Sequence, residues 1–118
     1  MPSVHSKPSR EERVRNWCDD AIKAIDNITS FVEGMDFETY RVDLKTMSAV
    51  ERQLFIIADV IARMPEFAST HESAYKIRGL ANRLRHEYDA IDPHFIWEAV
   101  SGPPLVALRA ALIAFSPK

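Results

Sequence analysis

The amino-acid sequence predicts an all-α protein built as an up-and-down helical bundle. Three observations carry this. Apolar residues recur at steps of three and four through most of the 118 residues, the spacing that gathers side chains on one helical face. No segment alternates with period two for long, so no strand is needed. Glycines number only three and are well spread, while 27% of residues are charged, with both signs mixed along the chain, and 47% are hydrophobic. That balance suits one packed core and argues against disorder.

The elements follow in order. Ser9 and Glu12 make a capping box. Val14, Trp17, Ala21, Ile25, Ile28 and Val32 then form one stripe, a helix over roughly residues 10 to 33, with Gly34 as its stop. Asp36 caps a short turn over Phe37 to Val42. A second long helix starts near Thr46, with Met47, Val50, Leu54, Ile57 and Ile61 on its stripe. Phe55, Ile56 and Val60 lie off that stripe, so this helix is either central or shared with another subunit. Pro65 ends it, and residues 66 to 71 read as a polar connection. A third helix runs from Glu72 to Tyr88, carrying Tyr75, Ile77, Leu80, Ala81 and Leu84 as its apolar residues. Asp92 caps a short helix that opens on Pro93 and carries Phe95, Ile96, Trp97 and Val100. Gly102-Pro103-Pro104 breaks the chain before a last helix, Leu105 to Phe115, with Leu105, Leu108, Leu112 and Phe115 inside. The sum is four to five helices plus short helical segments: a flexible tail over residues 1–9 and a single domain over 10–116.

Composition excludes several classes. The net charge is −2 and the pI about 6.1, so RNA contact must come from a local patch rather than a basic surface. Cys18 has no second cysteine to pair with, which fits a reducing, cytoplasmic setting; beside Trp17 it reads as a packing residue. Met1 to Ser9 is polar, with two prolines, and reads as neither signal nor anchor. The apolar run from Leu105 to Phe115 is interrupted by Arg109 and is too short to span a bilayer, so no membrane association is expected. There is no zinc-type cysteine spacing, glycine-rich phosphate loop, HExxH motif or nucleophile elbow. No metal or cofactor is expected.

Of the four histidines, His5, His71 and His94 read as solvated side chains. His86 stands in a richer context. Arg78, Asn82 and His86 are four apart and stack on one helical face, and Lys76, Arg78, Arg83 and Arg85 make this the most basic stretch of the chain. An imidazole can move a proton to or from a ribose hydroxyl, and an arginine can hold a phosphate and stabilise charge developing on it. The 2′-hydroxyl of RNA would serve as the nucleophile. By residue chemistry alone, a solvated helix end is the commoner meaning of such a cluster.

The stretch Gly79-Leu80-Ala81-Asn82-Arg83-Leu84-Arg85-His86-Glu87-Tyr88 resembles the Arg-x4-His-x-Tyr motif of the HepT-like proteins of the HEPN superfamily. Asp89 to Asp92, Ile96-Trp97-Glu98, Phe31 to Met35 with Phe37, and Ala49 to Leu54 with Ile56-Ile57 resemble further blocks of that family, over roughly residues 11 to 115. The resemblance implies a HEPN-type bundle, a homodimer with two motifs facing a shared cleft, and a metal-independent endoribonuclease toxin neutralised by a MNT-type nucleotidyltransferase antitoxin. It assigns His86 as the catalytic histidine, Asn82 as the polar residue after the catalytic arginine, and Tyr88 as the acceptor of AMP groups. The arginine position itself is Ala81. Arg78, one turn before Asn82, is the expected replacement, with Lys76, Arg83 and Arg85 in RNA binding; Arg85 is expected to point elsewhere on the helix from His86. The alternative is a weakened or inactive module that binds RNA, a nucleotide or the partner nucleotidyltransferase. Phe95 and Trp97 read as packing rather than base-stacking residues.

Overall fold

The computed structural model describes residues 7–87 and 89–118. Among them are seven helices and no strand: α1 (Arg10–Val32), α2 (Phe37–Tyr40), α3 (Leu44–Ala62), α4 (Pro65–Ala68), α5 (Glu72–Glu87), α6 (Pro93–Ser101) and α7 (Pro103–Phe115).

The caps explain most boundaries. The Ser9 hydroxyl accepts from the Glu12 N–H at 3.1 Å, so α1 begins where the capping box places it. Gly34, just past its end, has φ +77°, the left-handed conformation that favours glycine. Asp36 caps α2 through the Thr39 N–H, and Asp92 caps α6 through the His94 N–H. The start of α3 lies two residues earlier than its hydrophobic stripe suggests. The Asp43 carboxylate takes the Thr46 N–H at 3.0 Å, which draws Leu44 and Lys45 into the first turn.

Prolines depart from expectation. Pro65 opens α4 instead of only ending α3, so part of the expected polar connection is a helical turn, fixed by the fully buried Phe67. Likewise Pro103 and Pro104 lie inside the first turn of α7, and the break is at Gly102 alone. The first turn of a helix leaves its N–H groups unpaired, so proline forfeits nothing there. A Cβ on Gly102 would come within 2.9 Å of the Glu98 carbonyl, which is why a glycine sits at that corner.

The four longer helices α1, α3, α5 and α7 pack in a ring, each against its neighbours in that order, with α6 laid across α7 and α1. Val50, Leu54, Ile57 and Ile61 of α3 are fully buried between α1 and α5. Off that stripe, Val60 is also buried and Phe55 and Ile56 are half-buried, so much of the apolar girth of α3 is used within the chain. Each such side chain contributes about 1.5–3 kcal/mol of burial. Among the described residues, no single helix is long and apolar enough to cross a membrane.

Candidate functional site

Helix α5 turns Ala74, Ile77, Ala81 and Leu84 into the core. With 3.6 residues per turn, the remaining positions divide into two edges. One edge carries Tyr75, Arg78, Asn82 and Arg85 toward α3. The other carries Lys76, Leu80 and Arg83 toward α6 and α7. The single basic patch of the sequence is therefore two patches on opposite sides of one helix.

The α3-facing edge borders an open cavity of about 400 Å³. Arg78, Asn82 and Arg85 project into it from α5, with Asp59, Ala58 and Ala62 of α3 on the opposite wall. Arg85 thus joins Arg78 and Asn82 at this cavity. Positions 78 and 85 are seven apart, two turns, and share a face. The Arg85 guanidinium lies 3.2 Å from the Asp59 carboxylate and 5.0 Å from the centre of the Phe55 ring. Of the four Lys and Arg side chains of α5, Arg78 is the one with no carboxylate partner among the described residues. His86 is exposed in the last turn, four residues beyond Asn82, and does not line the cavity.

On the far edge, Lys76 pairs with Glu72 at 3.4 Å. Arg83 pairs with Glu87 at 3.6 Å and lies over the exposed Phe95 ring. These two cations do not share the cavity of Arg78 and Asn82. Tyr88, the expected AMP acceptor, lies outside the described residues, as does His5. Ala81 is fully buried, so the position the motif gives to arginine is on the inward face of α5.

The other two described histidines, His71 and His94, each contact an aromatic ring. His71 is half-buried against Phe67, ring centres 4.5 Å apart, and its Nδ1 is 3.4 Å from the Thr70 hydroxyl, so it is less solvated than expected. His94 is exposed, with Nε2 2.8 Å from Glu98 and its ring edge-on to Phe37. Cys18 is fully buried with its sulfur 4.0 Å from that of Met64, and burial pushes its thiol pKa up, the wrong direction for a nucleophile. Among the described residues no three His, Cys, Asp or Glu side chains converge as metal ligands would.

Two cavity residues escape sequence reasoning. Tyr75, counted there among the apolar residues of its helix, is 75% exposed at the cavity margin. Its spacing of three to Arg78 and seven to Asn82 was the available signal. Asp59 is 26 residues from Arg85, so its role exists only once α3 and α5 pack.

Residues 21–112 match the family model described as Ribonuclease HepT-like. The chain belongs to this family. Among curated proteins it is 29% identical over 90 residues to Putative RNase MJ0127 of Methanocaldococcus jannaschii, covering 74% of each chain. It is 28% identical over 89 residues to Probable ribonuclease HepT of Thermococcus cleftensis, covering 73% of this chain and 81% of that one. It is also 32% identical over 72 residues to Putative RNase TTE0752 of Caldanaerobacter subterraneus, covering 58% and 64%. No solved structure matches. The all-helical bundle agrees with the HEPN-type architecture expected of a HepT-like chain, and this HepT-like member carries alanine at position 81.

Proposed function

We propose that this HepT-like chain is an endoribonuclease toxin, acting in the cytoplasm as a homodimer and restrained by a MNT-type nucleotidyltransferase antitoxin. The observation that carries the nuclease reading is the placement of Arg78, with no carboxylate partner among the described residues, beside Asn82 in the α3–α5 cavity, with His86 one turn further along the same helix. In this reading Arg78 holds the scissile phosphate and stabilises charge developing on its oxygens. Asn82 orients the same group through its amide. His86 takes the proton of the 2′-hydroxyl; the 2′-oxygen bonds to phosphorus, the bond from phosphorus to the 5′-oxygen breaks, and the leaving oxygen takes up a proton. In the homodimer, the second His86 would face the same cleft and could supply that proton. The chemistry uses a nucleophile that RNA itself provides and needs no metal or cofactor.

Regulation would fall on Tyr88, two residues past His86 in sequence. Transfer of AMP to it would add a negative phosphate and bulk next to the group that must meet RNA phosphate.

RNA cleavage in the presence of a chelator tests this, comparing the native chain with His86→Ala. Cleavage that persists in the variant removes His86 from the mechanism. Mass spectrometry of the chain after incubation with a MNT-type nucleotidyltransferase and ATP tests the restraint, the expected product being AMP on Tyr88.

One observation favours a second reading, a module that binds RNA, a nucleotide or the nucleotidyltransferase without cleaving. Ala81 is fully buried and offers nothing to a phosphate. That reading expects no cleavage by the native chain and a stable complex with the nucleotidyltransferase.

A further inference from the structure

We propose that Tyr75 is a stacking platform for one RNA nucleobase, adjoining the phosphate held at Arg78, and that the α3–α5 cavity is a nucleotide subsite; this rests on the RNA-directed reading above. Four features meet there. Tyr75 is 75% exposed, an aromatic ring that the chain's own packing leaves in solvent. The cavity it borders is about 400 Å³, within the range of small-ligand sites. Its polar groups are those a nucleotide needs: on Arg78 a guanidinium for phosphate, with a second on Arg85 that Asp59 holds, and on Asn82 an amide that both donates and accepts. Along α5, Arg78 follows Tyr75 by about 4.5 Å and Asn82 by about 10.5 Å, so ring, cation and amide form one line.

Gly79 adds to these four. It sits inside α5, one turn from Tyr75, where glycine costs about 1 kcal/mol relative to alanine. A Cβ built there meets nothing within 4 Å. Packing among the described residues gives no reason for a glycine, whereas a ring approaching the bare backbone beside Tyr75 does. Ala58, Ala62 and Ala68 keep the facing wall shallow. Every nucleobase has a π-face, so such a platform accepts single-stranded RNA with little sequence preference.

The test is binding of a short, single-stranded, fully 2′-O-methylated RNA, which cannot be cleaved, to the native chain, Tyr75→Ala and Tyr75→Phe. Sedimentation follows the oligomeric state of each. Stacking is worth about 1–3 kcal/mol per base, so Tyr75→Ala should weaken binding by roughly 5- to 150-fold while Tyr75→Phe binds as the native chain does. Equal affinity in Tyr75→Ala, no binding by the native chain, or a loss that appears only with a change in oligomeric mass would each overturn the proposal, the last by making Tyr75 a subunit contact. Cleavage is read separately with unmodified RNA. A chain that binds through Tyr75 but does not cleave keeps the subsite and loses the nuclease mechanism; one that cleaves with Tyr75 irrelevant does the reverse.

Discussion

The Arg85 guanidinium is held 3.2 Å from the Asp59 carboxylate across the α3–α5 cavity, so one of the two arginines at this site is already neutralised by the protein. Both side chains are about half exposed or more, and such a pair is worth about 0.2–1 kcal/mol. Replacing Asp59 with Asn should therefore release Arg85 to an RNA phosphate at small cost to the fold. Affinity for uncleavable RNA should rise by up to about 5-fold at low salt and its salt dependence should steepen, since one more cation displaces counterions. A titration across salt concentrations checks this; unchanged affinity and slope in Asp59→Asn would show that Arg85 takes no part.

His86 and Arg78 should separate in their effects. Loss of a general acid–base group costs about 10²–10⁴-fold in rate, so His86→Ala should lose that much cleavage while binding 2′-O-methyl RNA almost normally. Arg78→Ala should lose both, and Arg78→Lys should recover part of the binding, because lysine keeps the charge but not the planar fork. Single-turnover rates beside binding constants make the comparison. Equal effects of the two alanine variants on affinity would contradict the division of roles.

The stripes Val14 to Val32 and Met47 to Ile61, and the caps at Ser9, Asp36 and Asp92, were legible because they depend on local spacing. In the sequence Pro65 and Pro103 look like breaks because proline ends helices as well as opening them, and only the packing of Phe67 and Leu105 decides which. The column Arg78–Asn82 was legible for the same reason as the stripes. What that column faces was not: the pairing of Arg85 with Asp59, and the division of the basic residues between two edges, require the placement of α3 on one side of α5 and of α6 and α7 on the other. The inward direction of Ala81 follows from its spacing to Ile77 and Leu84, but an alanine carries no sign of burial in itself.

Tyr40 is fully buried beside Trp97, and among the described residues its hydroxyl has no hydrogen-bond partner. Burial, with a smaller push from Glu51, drives its pKa well above the usual phenol value. An unsatisfied buried hydroxyl costs about 1–3 kcal/mol. Tyr40→Phe removes it and keeps the ring, so urea unfolding should show equal or greater stability. A loss above about 1 kcal/mol would mean that the hydroxyl has a partner, such as a bound water.

Stability should respond to acid in two opposite stages. Burial raises the Glu51 pKa above its ordinary 4.5, so at neutral pH the fold holds an unfavourable charge. Acidification from neutral through that raised value should therefore stabilise, and the gain is complete near pH 4.5. Asp26, Asp36 and Asp43 are shifted the other way, below 3.8: Asp26 mainly by its hydrogen bond from Arg109, Asp36 and Asp43 mainly by the N–H groups of Thr39 and Thr46. Their contribution is whole above pH 3.8 and is lost as pH falls through their depressed values. Urea midpoints across pH should rise and then drop. Glu51→Gln should abolish the rise and leave the drop.

Ala81→Arg puts the motif's arginine back, and the geometry of α5 limits what it can do. The Ala81 methyl is fully buried on the face shared with Ile77 and Leu84. A longer side chain there must either displace core neighbours, at about 1–3 kcal/mol, or bend outward along the helix until its guanidinium reaches water. Melting temperature should fall by several degrees in either case. If Arg78 already supplies the phosphate contact, Ala81→Arg alone should not raise cleavage, but in an Arg78→Ala background it should restore part of it by reaching the same cavity from the inner edge. A native chain without activity that becomes a nuclease on Ala81→Arg would show instead that Arg78 never took over. The non-cleaving reading would then hold for the native chain, with the fold still able to support catalysis.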